Sequence, residues 1–170
     1  VSALFLLTSA VAVIATLFAV TRANAVHALL YFVVSLFSVA FLFLLLGAPF
    51  VAVLEVVVYA GAIIVLFLFA VMLLNLGHAA VEEEKRRFGP GMWVGPSLLA
   101  AVLAAELVWI FLGERGAAAG VASVGPKEVG IALFGPYVLA VEIASMLLLA
   151  GLVGAYHLGR PQSHSRRDDR

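Results

Sequence analysis

Read for polarity alone, the chain alternates long apolar runs with short polar breaks. The run over residues 1–20 carries no charge and stops at Thr21-Arg22-Ala23-Asn24. A second run covers 25–46 and is interrupted by His27. Gly47-Ala48-Pro49 then predicts a tight turn, because glycine relaxes the backbone and proline cannot continue a helix. A third run covers 50–74 with Glu55 inside it, and a fourth covers 92–112 with Glu106. The fifth covers 133–157, with Gly135-Pro136 in its first turn and Glu142 further in. Roughly 20 apolar residues suffice to cross about 30 Å of hydrocarbon. The pattern therefore predicts an all-α integral membrane protein with five transmembrane helices. The first run lacks a basic n-region and exceeds the roughly 7–15 apolar residues of a signal peptide, so it is read as a span.

The breaks give the direction. Glu82-Glu83-Glu84-Lys85-Arg86-Arg87 forbids a bilayer position for the segment between Asn75 and Gly91, which reads as a surface loop. The stretch 116–130 is rich in Gly and Ala and reads as a weakly structured connector with a turn at Gly125-Pro126. A short basic tail, 159–170, follows the last span. With five spans, Arg115 and Lys127 fall on one side of the membrane. Arg22, Lys85, Arg86, Arg87, Arg160, Arg166, Arg167 and Arg170 fall on the other. The basic side faces the cytoplasm by the positive-inside rule, so the N-terminus is expected outside and the C-terminus in the cytoplasm.

Composition narrows the chemistry. Hydrophobic residues make up 65% of the chain, against about 45–50% in typical globular proteins, and charged residues only 12%. Ten basic and ten acidic residues leave no net charge, so no global field exists to hold nucleic acid. The absence of cysteine excludes disulfides, thiolate metal sites and a cysteine nucleophile. His27 and His157 lie at predicted cytoplasmic helix ends and read as structural rather than as haem ligands, while His78 and His164 fall in the loop and tail. No nucleophile–base pair or phosphate-cradling loop is present, so the chain by itself is expected to carry no catalytic residue, cofactor or metal.

What remains is a small set of polar groups inside apolar helices. Insertion costs about 2.5–3.5 kcal/mol for a centrally placed acid, so each glutamate needs an account. Glu55 lies six residues after Pro49, Glu106 seven before Gly113 and Glu142 six after Pro136, which puts all three about 9–10 Å inside the outer edge of the hydrocarbon. They either glue helices together or line a hydrated path and exchange protons. Glu142 is the best local candidate, because Ser145 follows three residues on and can hydrogen-bond it. Glu106 is the weakest, flanked by alanines with nothing polar one turn away. Small residues four apart, Ala150 with Gly154 and Gly151 with Ala155, and also Ala100 with Ala104 and Ala101 with Ala105, mark possible helix contacts. In the third run, Val56-Val57-Val58 gives way to Tyr59-Ala60-Gly61-Ala62. Gly61 either admits a neighbouring helix or marks a place where the hydrogen-bond ladder slips into a π-bulge, re-aiming Tyr59 and Glu55 together.

Four blocks carry a family resemblance. They are Asn24-Ala25-Val26-His27-Ala28-Leu29-Leu30, Gly47-Ala48-Pro49-Phe50, the run from Glu55-Val56-Val57-Val58-Tyr59-Ala60-Gly61-Ala62 to Asn75, and the run from Leu133-Phe134-Gly135-Pro136-Tyr137 through Glu142-Ile143-Ala144-Ser145 to Leu149. Together they resemble the family of subunit J, called chain 6 in mitochondria, of the proton-pumping NADH:quinone oxidoreductase, respiratory complex I. The resemblance implies a multi-pass subunit of the bacterial inner membrane with no prosthetic group of its own. FMN, iron–sulfur clusters, NADH and quinone would be handled by partner subunits. The implied neighbours are the small membrane-arm subunits next to the quinone site and the antiporter-like subunits. A π-bulge near Tyr59 and Gly61 is implied as well, its conversion to regular helix accompanying the coupling of quinone reduction to proton transfer. On this basis Glu55, Tyr59, Gly61, Glu142 and Ser145 are the candidate proton-path or coupling residues. The competing expectations are a passive scaffold subunit of the same complex and a subunit of a multisubunit cation/proton antiporter.

Overall fold

The computed structural model describes residues 2–74, 91–112 and 123–159 and is helical in every regular element among them. Five of its helices are long and apolar enough to cross a membrane: Ala3–Thr21, Ala25–Leu45, Pro49–Leu73, Trp93–Ile110 and Val138–Gly159. The charged segment 75–90, most of the connector before residue 123, and the tail beyond Gly159 lie outside the described residues. By internal contacts the chain divides into two units, Val1–Gly125 and Pro126–Arg170.

In the first unit, α1 (Ser2–Thr21) and α2 (Ala25–Leu45) form an antiparallel pair. Asn24 caps α2 from an extended backbone conformation, its side-chain oxygen accepting the His27 amide at 3.1 Å. The other end of α2 closes on Gly47, whose φ of 79° is the left-handed conformation that glycine adopts without a Cβ clash. The Ala48 amide reaches the Phe43 carbonyl at 2.9 Å and the Gly47 amide the Leu44 carbonyl at 3.1 Å, a Schellman closure. Pro49 then occupies the first turn of α3 (Pro49–Glu55), where its missing amide costs nothing. The predicted turn is therefore present. The Gly47 carbonyl also accepts the Val124 amide at 2.8 Å, which holds that end of the connector against the turn.

The rod continues through a π-helical segment, Val56–Ile63, into α4 (Ile64–Leu74). A further helix, α5 (Gly91–Leu112), packs on α1 and α2 and contains Pro96 near its start. α2 is the hub, touching α1, the whole third rod and α5. The core is small: Val11, Ala15 and Val34 are buried, with Leu99, Val102 and Leu103 of α5 against them. Hydroxyls stitch the same seam, Thr16 to Ser35 at 2.7 Å between α1 and α2. Above it, Tyr31 stacks on Phe18 and His27 at centroid distances of 5.2 and 5.0 Å, and the Arg22 guanidinium lies over both the Phe18 and Tyr31 rings.

The second unit holds α6 (Pro126–Phe134) and α7 (Val138–Gly159). Here the observed boundaries differ from the expected ones. Residues 126–130, expected in a weak connector, are helical: Pro126 opens the first turn and Glu128 places its charge at the positive end of the helix dipole. The last long helix begins at Val138 rather than near Leu133. Gly135-Pro136-Tyr137 forms a turn, with the Tyr137 amide on the Ala132 carbonyl at 3.1 Å, because Pro136 disfavours helical geometry in the residue before it. No residue of α7 is buried within its unit, and nothing lies within 4 Å of a Cβ built on Gly151 or Gly154.

Candidate functional site: a π segment beside a carboxyl

Glu55 is the last residue of α3, and its backbone stays helical at φ −55° and ψ −50° as the ladder changes register. Beyond it the Ile64 amide donates to the Tyr59 carbonyl, five residues back instead of four. Such a register carries an extra residue within a helix. Here it includes Tyr59-Ala60-Gly61-Ala62, where three small residues follow the tyrosine. A Cβ on Gly61 would touch only the Val56 carbonyl oxygen, at 3.4 Å. Among the described residues, then, no neighbouring helix approaches Gly61, and its place is inside the shifted ladder.

Most side chains of this segment are exposed, with Val56 and Ala60 partly buried. Tyr59 is 46% exposed and no residue of Val56–Ile63 is buried, while Glu55 is half-buried against the unit. The geometry brings Glu55, Tyr59 and Gly61 together on one continuous rod that rests on α2. A return to regular helix would rotate the residues on one side of the segment relative to the other by about 100°, the turn per residue of an α-helix. Chemically, the site is a carboxyl and a phenol next to a backbone in the π register.

Glu142 and Ser145 lie on α7 in the second unit, and both are exposed there. The hydrogen bond expected between their side chains is not formed. The Ser145 hydroxyl donates to the Glu142 main-chain carbonyl at 2.7 Å, since a short hydroxyl on a helix reaches the preceding turn of backbone more readily than a carboxyl extending outward.

The residue that sequence reasoning underrated is Glu106. It is 4% exposed, and its Oε2 lies 2.7 Å from the hydroxyl of Thr8, itself fully buried, on α1. No local signal pointed to this pair, because the two residues are 98 positions apart. Among the described residues no group of three or more His, Asp or Glu is arranged to hold a metal.

With this geometry in hand, comparisons with known proteins are direct. NADH-quinone oxidoreductase subunit J of Pseudomonas aeruginosa is 56% identical over 157 residues, covering 92% of this chain and 95% of that protein. The subunit of the same name from Escherichia coli K12 is 47% identical over 170 residues, covering 97% and 92%. That of Rhodobacter capsulatus is 36% identical over 156 residues, covering 89% and 77%. Residues 15–158, which include the first-to-second helix turn, the π segment and nearly all of α7, match the family described as NADH-ubiquinone/plastoquinone oxidoreductase chain 6, and the chain belongs to that family.

Proposed function

We propose that this chain is a membrane-arm subunit of a proton-translocating NADH:quinone oxidoreductase and that its third rod helps couple quinone reduction to proton transfer. The carrying observation is the π register at Tyr59 to Ile64, directly after Glu55. In this reading the segment exchanges between π and α ladders. The exchange turns Tyr59 relative to Glu55 and makes or breaks a hydrated path. Glu142 and Ser145 belong to the same coupling function, on a helix none of whose residues is buried within its own unit.

Several features support the remainder of the proposal. Five long apolar helices suit a multi-pass protein of the bacterial inner membrane, and the basic residues favour a cytoplasmic C-terminus with the N-terminus outside. The exposed face of the π segment calls for neighbours, and as partners we assign the small subunits next to the quinone site and the antiporter-like subunits. FMN, iron–sulfur clusters, NADH and quinone are assigned to partner subunits, and no catalytic residue to this chain. Density maps of the assembled enzyme in two states test the coupling role. Two registers of residues 56–63 support it. One register in both states leaves the chain a passive scaffold of the complex. Co-purification without flavin and iron–sulfur partners would instead favour a cation/proton antiporter.

A further inference from the structure

Glu106 and Thr8 form a site that the coupling reading does not use. Thr8 Oγ1 lies 2.9 Å from the Leu4 carbonyl oxygen and 2.7 Å from Glu106 Oε2. A threonine hydroxyl has one proton to give, while the carbonyl can only accept and an ionised carboxylate can only accept. With Glu106 ionised, one of these two short oxygen–oxygen contacts would have no proton between its atoms. With a proton on Oε2 both are satisfied: Glu106 donates to Thr8, and Thr8 donates to Leu4.

The second carboxyl oxygen gives independent support. Oε1 is buried and has no hydrogen-bond partner among the described residues. Its burial is by this chain's own helices, so a partner subunit cannot reach it. Nor is a countercharge at hand among the described residues of the helices packed against it. α1 carries no ionisable side chain, and α5 has no ionisable group besides Glu106. α2 offers His27 and Tyr31, and Arg22 stacks over Tyr31. Tyr31 abuts Gly95, eleven residues along α5 from Glu106, which is about 16 Å of helix rise. A buried charge with no cation beside it and one hydroxyl as its sole donor among the described residues is heavily penalised, whereas the carbonyl oxygen of a neutral acid loses only a weak acceptor contact.

We infer that Glu106 is a proton-binding site, holding one proton as a neutral carboxylic acid that is donated to Thr8 and that clamps α5 to α1. The proton is a resident of the helix seam and does not move during turnover, because the site is closed to water. Its relay ends on the Leu4 main-chain carbonyl, which cannot pass a proton on.

Infrared spectra of the assembled enzyme in membranes test this directly. The Glu106→Gln difference spectrum should show the loss of one protonated-carboxyl C=O band, with proton pumping per assembled complex unchanged, since the amide can donate to Thr8 in the same way. Thr8→Val should move that band to higher frequency by removing the acceptor of the acid proton. Loss of carboxylate bands in place of the C=O band overturns the inference, as does reduced pumping in assembled Glu106→Gln. If Glu106→Gln does not assemble, Thr8→Val decides alone: a frequency shift in the protonated-carboxyl region upholds the site, and an unchanged region overturns it.

Discussion

The Ile64 amide donates to the carbonyl of Tyr59 rather than of Ala60, so between these residues the helix holds one more residue than an α ladder allows. In the exchange proposed above, the α ladder would use the same donors and nearly the same acceptors. Neighbouring side chains and subunits can therefore bias the choice, and substitutions in the segment should be read first in function and only second in folding.

Gly61→Val is the sharpest test of that exchange. A Cβ fits at 3.4 Å from the Val56 carbonyl, so assembly should survive, but a β-branched side chain crowds the carbonyl in the π register. A bias of about 1 kcal/mol between the ladders changes their ratio about fivefold. Quinone-linked proton uptake by membrane vesicles should fall several-fold at constant complex content on native gels. Normal pumping in assembled Gly61→Val would count against a deformable third rod.

Glu55→Gln and Glu142→Gln separate coupling from scaffolding. Both substitutions keep size and remove the titrating group. Coupling predicts lower proton transfer per assembled complex for each. A scaffold predicts altered assembly or no change, with pumping per complex as in the parent.

Gly95→Ala should destabilise the seam between α2 and α5. The added methyl would run into the Tyr31 hydroxyl, and the ring carbon Cζ stands 3.0 Å from the same point. Tyr31 is buried and fixed by Phe18 and His27, so it has little room to yield. The expected cost is about 1–3 kcal/mol, seen as a lower thermal midpoint of the complex. Tyr31→Phe removes the colliding oxygen, and the double variant should recover much of the loss. Additive effects of the two changes would show that this contact is not the cause.

Because the chain contains no cysteine, single cysteines report the sidedness of its turns cleanly. Leu46→Cys, at the exposed turn after α2, should react with a membrane-impermeant maleimide from outside the cell. Thr21→Cys, at the exposed end of α1, should react only after the inner face is opened. The reverse labelling pattern would invert the orientation drawn from the basic residues.

Much of the fold could be read in advance because its signals are local. Gly47 before Ala48-Pro49 closes a helix through its own backbone whatever the rest of the chain does. The helix at Pro126 was missed because the composition of 116–130 outweighed the stronger positional meaning of a proline followed by a glutamate. The π register lies between these cases. The low bulk of Tyr59-Ala60-Gly61-Ala62 permits either ladder, and the family resemblance, not periodicity, pointed to the bulge that the structure contains.

By itself the sequence determined that this chain consists of five apolar rods, where the first turn between them falls, and which few polar groups must be accounted for in lipid. Those properties follow from runs of neighbouring residues and the solvent they require. Only the tertiary structure decided which carboxyl is enclosed and what it touches. Glu142, with a serine one turn away, is left exposed on its own unit, whereas Glu106, with only alanines beside it, meets a hydroxyl from a helix 98 residues distant. A hydrogen bond between helices depends on how their surfaces pack, and spacing along one helix carries no record of what the other brings to the seam.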